Sequence, residues 1–248
     1  MVREGTYNPF IPKGYIVNGD FGMRVFLYSS IGIPLLIADG VLLWALPARM
    51  ANRLTMTQGL ILLLGGLAYL CLHCLLRKPE RMYLWAHEFT HLFVAKLFLR
   101  HVHGFHITSR SGGKVVIDRT NVAIDLAPYA VPLYNVVALL PVALITGGAP
   151  YAKKIYLGAA AFLFAMHLCF SAEGFIDGQP DVRRSGRIFS LAVVLLLLML
   201  WTPILAAPGT HGGFSGLPVF YREWFANGME AVLALSGRVR SLIGQRFL

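Results

Sequence analysis

Six stretches of this chain are apolar over about the length that a helix needs to cross a hydrocarbon core, roughly twenty residues. They run over about 25–47, 58–76, 82–99, 126–147, 153–172 and 188–207. Composition points the same way. Apolar residues make up 56% and charged residues 14%, where a soluble domain carries about 25% charged, and the mean hydropathy is +0.63. The expected fold is an all-α polytopic membrane protein with about six transmembrane helices. A polar segment over 1–24 precedes the membrane domain at 25–207, and an amphipathic surface helix follows at 208–248. The N-terminal segment shows no removable signal peptide. The tail from Pro218 onward mixes aromatics with basic residues, which suits the membrane surface or a peripheral helix packed on the bundle.

The net charge of +10 does not imply nucleic acid. Lys and Arg fall mostly between the apolar runs, where they meet lipid headgroups. They divide too evenly between the two sides to set the orientation. The bilayer is the expected partner of these charges; no nucleic-acid partner is expected, and the sequence does not specify an oligomeric state.

Two connections have structure of their own. In 101–125, the segments GFHITSR and KVVIDRT are rich in β-branched residues and flank the turn signal SGG, a hairpin pattern. The segment 171–188 is turn-rich and acidic, with Glu173, Asp177 and Asp181. Three cysteines do not make a disulfide framework. Cys71 and Cys74 flank His73 in CLHC, but they lie inside an apolar run where cysteine acts as a small apolar residue.

The third apolar run contains YLWAHEFTHLFVAKL. Residues four apart project from one face of a helix, so His87 and His91 can share one Zn²⁺. Glu88 lies beside the first of them and can act as general base toward a water activated there. H-E-x-x-H on a helix is the metalloprotease signature, and ionisable groups at membrane depth mark function.

A catalytic zinc needs a third protein ligand. The soluble pattern with a third His six residues on fails, because position 97 is Leu and position 94 is Val. His101, His103 and His106 follow closely but fall beyond the helix. Asp177 and Asp181, in GFIDGQPDV, can fold back against it or cap a helix N-terminus. His167 and Asp39 are further polar residues inside apolar runs. His167 suits either a cavity wall or a helix–helix hydrogen bond; Asp39 suits a partner for a basic group or a kinked helix end beside Gly40.

HEFTH at 87–91 in an apolar helix, then a short β segment, then Asp-Gly before a late crossing, resembles the site-2 protease family of intramembrane zinc metalloproteases. The resemblance spans roughly residues 80–205. It implies zinc ligation by His87, His91 and a distant Asp, with Glu88 as catalytic base. The usual late motif is Leu-Asp-Gly after an Asn-Pro-rich stretch; this chain has Ile176-Asp177-Gly178 and no Asn-Pro element. Gln179-Pro180-Asp181 with Gly186-Arg187-Ile188-Phe189-Ser190, and Pro128-Tyr129-Ala130-Val131-Pro132-Leu133, are more similar to another branch, which favours Asp181 with Asp177 as the alternative. The expected activity is hydrolysis of membrane-associated protein substrates in a multi-pass protein, with a bacterial inner membrane the expected location. Competing readings are a non-proteolytic adaptor or transporter that retains a structural metal, and a zinc hydrolase acting on lipid.

Overall fold

The computed structural model of the protein describes residues 19–76, 78–108, 112–144 and 150–246. Most of the expected 1–24 segment and the centre of the hairpin turn lie outside these. The described chain is mostly helical. Its elements are α1 (Gly19–Ala51), α2 (Met56–Leu75), α3 (Glu80–Leu97), β1 (Val102–Thr108), β2 (Gly112–Ile117), α4 (Val122–Ala130), α5 (Leu133–Leu144), α6 (Pro150–Asp177), α7 (Pro180–Arg184), α8 (Arg187–Ala206) and α9 (Leu217–Arg246).

Among the described residues, four helices are long and apolar enough to cross a membrane: α1, α2, α6 and α8. A fifth span exists if α4 and α5 count as one, although they meet at 66°. The expectation of six is corrected at two places. The run at 82–99 folds as α3, whose 18 residues include Glu80, Arg81, Glu88 and Lys96, too polar a set for a simple span. The run at 126–147 breaks at Val131–Pro132, because a residue before proline is pushed out of the helical region. Val131 duly sits at φ −109°, ψ 108°.

Packing divides the molecule into two helix pairs and a site-bearing middle. On one side α2 lies along α6. A Cβ on Gly65 would stand 2.4 Å from the Gly158 carbonyl oxygen, so a bare glycine is what allows this approach. On the other side α1 runs along α8, and α9 lies against α1. Trp224 of α9 is fully buried among Leu42, Leu46, Met199 and Phe220, and its indole N–H donates to the Leu42 carbonyl at 2.9 Å. The tail is thus a helix packed on the bundle along its first half. It starts at Leu217, not near 208, after the short 3₁₀ turn Ala207–Gly209.

The hairpin forms as an antiparallel pair, with Phe105 opposite Val115 and His106 opposite Lys114. Both strands pack on α3, which also lies against α4. Asp39 is not a helix end. It lies inside α1, is 2% exposed, and neither carboxylate oxygen has a hydrogen-bond partner among the described residues.

Candidate metal centre

The inward face of α3 carries Ala86, Glu88, Thr90, His91 and Ala95 as its buried residues. The opposite face presents Met82, Trp85, Phe93 and Leu97 outward. The helix is therefore amphipathic with its polar groups turned into the protein, the reverse of a soluble surface helix. His87 and His91 sit one turn apart, with ring centroids at 4.9 Å.

The third member arrives from much later in the chain. At the end of α6, Gly178 adopts φ +64°, the left-handed conformation that closes helices. The Gly178 and Gln179 backbone N–H groups donate to the Phe175 and Gly174 carbonyls. Pro180 then opens α7, suited to a first helical position. Val182 is fully buried with Leu126, Tyr129 and Val194, and the Ser190 hydroxyl donates to the Val182 carbonyl at 3.0 Å. These contacts hold α7 so that Asp181 faces α3.

Asp181 Oδ2 stands 3.3 Å from His91 Nε2 and 3.8 Å from His87 Nε2. One ligand atom from each of the three residues falls within a 4.8 Å set. Two ligands about 2.1 Å from a tetrahedral ion stand about 3.4 Å apart, so the donor set fits Zn²⁺ with little adjustment. The ring orientation supports this. His91 Nδ1–H donates to the Ile124 carbonyl at 2.8 Å, which leaves Nε2 toward Asp181, the arrangement that metal-ligating imidazoles use. His87 Nδ1 faces the Tyr83 hydroxyl at 3.4 Å. Burial works to raise the Asp181 carboxyl, but the His87 and His91 imidazoles facing it outweigh burial and hold the group well below the usual carboxylate range.

Glu88 is 8% exposed and lies beside this set without joining it. The Val115 backbone N–H donates to its carboxylate. Among the described residues β2 pairs only with β1, which leaves its other edge open, and Gly113, Lys114, Val115 and Ile117 line the cleft beside Glu88. Gly113 gives the carboxylate its space, because a Cβ there would stand 2.3 Å from Glu88 Cγ. Gly113→Ala is expected to push Glu88 aside and lower turnover about 10–100-fold, the scale of an ångström's misplacement. Zinc content, measured in parallel, should not change.

Two clefts meet here. One, of about 730 Å³, is lined by His87, Glu88, His91, Lys114, Asp181 and Arg184. The other, of about 280 Å³, reaches His87 and Glu88 from the side of Tyr83, Tyr129 and Phe170. The Tyr129 ring packs edge-on to His87 at 5.2 Å, and its buried hydroxyl has no hydrogen-bond partner among the described residues.

The remaining candidates are elsewhere. Asp177 ends α6, exposed, and lines only the smaller cleft. His101, His103 and His106 are exposed on or next to β1; only His106 reaches the larger cleft, and none joins the ligand set. His167 Nε2–H donates to the Tyr129 carbonyl at 2.8 Å and so serves the broken α4–α5 backbone. Cys71 and Cys74 are exposed on α2, while His73 between them bonds Tyr69 at 3.0 Å and Glu173 at 3.1 Å, with Lys78 also on Glu173. Sequence reasoning missed Asp125 and Arg184, both at the larger cleft. A signal for each exists: Asp125 is a bare charge at the head of an apolar run, and Arg184 stands one turn after Asp181.

Comparison with protein-family models, with curated proteins and with solved structures finds no match to this chain.

Proposed function

We propose that this chain is an intramembrane zinc metallopeptidase that hydrolyses peptide bonds in membrane-associated protein substrates. The observation that carries the reading is the meeting of His87, His91 and Asp181, with Glu88 beside them, at a polar cleft lined by α3, β2, α4 and α7. His87, His91 and Asp181 would hold the ion. Zinc, when bound, polarises a substrate carbonyl and lowers the pKa of water toward about 7.

The chain's own residues do the rest. Glu88 takes a proton from the attacking water and returns it to the leaving amine. The Val115 N–H keeps its carboxylate aimed at the cleft. The Ile124 carbonyl fixes the His91 tautomer, and Asp181 balances positive charge with an anion already stable at neutral pH.

A peptide bond inside a helix is hidden, so the substrate must present an extended segment. The open edge of β2, next to Glu88, suits such a segment by strand addition. Ile117→Pro, at another β2 residue lining the cleft, spares the Val115–Glu88 bond. It is expected to raise KM for a membrane-protein substrate about 5–10-fold, the value of one hydrogen bond, with zinc retained. Unchanged cleavage would discard strand addition.

The reading as a whole is tested on full-length protein purified in detergent. Zinc is quantified, and single-pass membrane proteins are offered as substrates beside a Glu88→Gln control. Stoichiometric zinc with Glu88-dependent cleavage supports it. A chain without zinc, or cleavage indifferent to Glu88, overturns it. The location that goes with this reading is a multi-pass protein of a bacterial inner membrane.

A further inference from the structure

The larger cleft contains a second polar chain that the hydrolytic steps do not use. The Thr120 hydroxyl donates to Asp125 Oδ1 at 2.5 Å. Arg184 Nη1 donates to the same oxygen at 2.9 Å and stands 3.8 Å from Asp181 Oδ1. Asp181 thus uses its two oxygens differently: Oδ1 faces the guanidinium, and Oδ2 faces both imidazoles.

We infer that Arg184 is a positioning residue for the metal centre, tethered by Asp125 and holding Asp181 so that Oδ2 is turned to His87 and His91. This inference rests on the metal-site reading above and adds the device that orients its carboxylate. The physical case has three parts. The χ2 of an aspartate is broad and roughly two-fold, so something must fix the plane in which one oxygen meets the imidazoles. Arg184 lies one turn from Asp181 and can reach it, but alone it would be as mobile as any cleft arginine. Asp125 removes that freedom. Its side chain is 6% exposed, and a buried carboxylate needs a cation and hydrogen-bond donors; Arg184 and Thr120 supply both. The planar guanidinium suits this task because its donors have fixed directions. The tether also ties α7 to the first turn of α4, the turn whose Ile124 carbonyl orients His91. One short stretch of α4 therefore sets the orientation of two of the three ligands.

The test is carried out on the full-length protein in detergent. Zinc affinity is measured by competition with a chromophoric chelator, the visible spectrum of the Co²⁺-loaded protein reports ligand geometry, and the thermal midpoint of the metal-free protein reports folding. Arg184→Gln is expected to weaken zinc binding about 10–100-fold, the usual cost of losing an outer partner of a ligand. It should also shift the cobalt bands; the metal-free midpoint is expected to fall, because Asp125 loses its cation and keeps Thr120, and binding is read on the protein that still melts as a folded chain. Arg184→Lys keeps a charge without the fork and should fall between the two in both readouts; it decides the matter if the glutamine variant does not fold. Affinity and cobalt spectrum identical to the parent in the variant that folds overturn the role of Arg184 and leave the metal site standing. A parent that binds neither zinc nor cobalt overturns both.

Discussion

Replacing Glu88 by Gln is expected to end peptide hydrolysis and leave zinc in place. The side chain lies beside the ligand set rather than in it, so the ion's protein donors are unchanged. The amide is nearly isosteric with the carboxylate and fits the same space against Gly113. It can still meet the Val115 N–H through its oxygen, so the local fold has no reason to move. What it loses is basicity. A positioned general base contributes about 10²–10⁴-fold, and a fall of that size in kcat with unchanged zinc stoichiometry is the expected result. Measurement needs only a cleavable membrane substrate and metal analysis of the two proteins. Turnover equal to the parent's would remove Glu88 from the chemistry. Stoichiometric zinc in a parent that cleaves no membrane protein would favour the adaptor or transporter reading.

The second large effect separates the two aspartates. Asp181→Ala is expected to weaken zinc binding by more than the roughly 10–100-fold that loss of an outer partner costs, because it deletes one of three protein donors and leaves two neutral imidazoles. Asp177→Ala should bind zinc as the parent does, since its exposed carboxylate ends α6 outside the set. The linkage to pH has a definite sign. The Asp181 carboxyl is held below its unfolded value, so the stability it contributes is present above the ordinary carboxylate range. That stability is lost as pH falls through the lower value in the fold. The Asp181→Ala protein should therefore show less acid destabilisation than the parent when both are metal-free, as followed by thermal midpoint against pH. If Asp177→Ala rather than Asp181→Ala loses the metal, the assignment of the carboxylate is reversed.

What the sequence made legible follows the range of the interactions. HEFTH could be placed because its geometry is local: helical periodicity alone puts His87 and His91 on one face. The hairpin was legible for the same reason, through β-branched runs around a glycine turn. The number of spans was overcounted because hydropathy does not see sides. The run at 82–99 is apolar on the face with Trp85 and Phe93 and polar on the face with Glu88 and His91. The break at Val131–Pro132 had a visible signal, a proline within the run, but proline is tolerated in membrane helices often enough to mask it. The choice between Asp177 and Asp181 depended on how sharply the chain reverses at Gly178, which spacing does not encode. The contact between Arg184 and Asp125 was out of reach: it joins residues 59 apart, and the local signal each carries does not announce the pairing.

On the proposed metal-site reading, the carboxylate's late position has a consequence for when an ion could be held. Asp181 follows His91 by about 90 residues, and α7 is pinned only when α8 contributes Ser190. At roughly 5–20 residues per second, a growing polypeptide spends on the order of 5–20 s with both imidazoles made and their anionic companion still unsynthesised. During that interval two neutral nitrogens are a poor trap for a divalent cation. On the proposed reading, loading of the ion is thereby deferred until nearly the whole bundle has been synthesised.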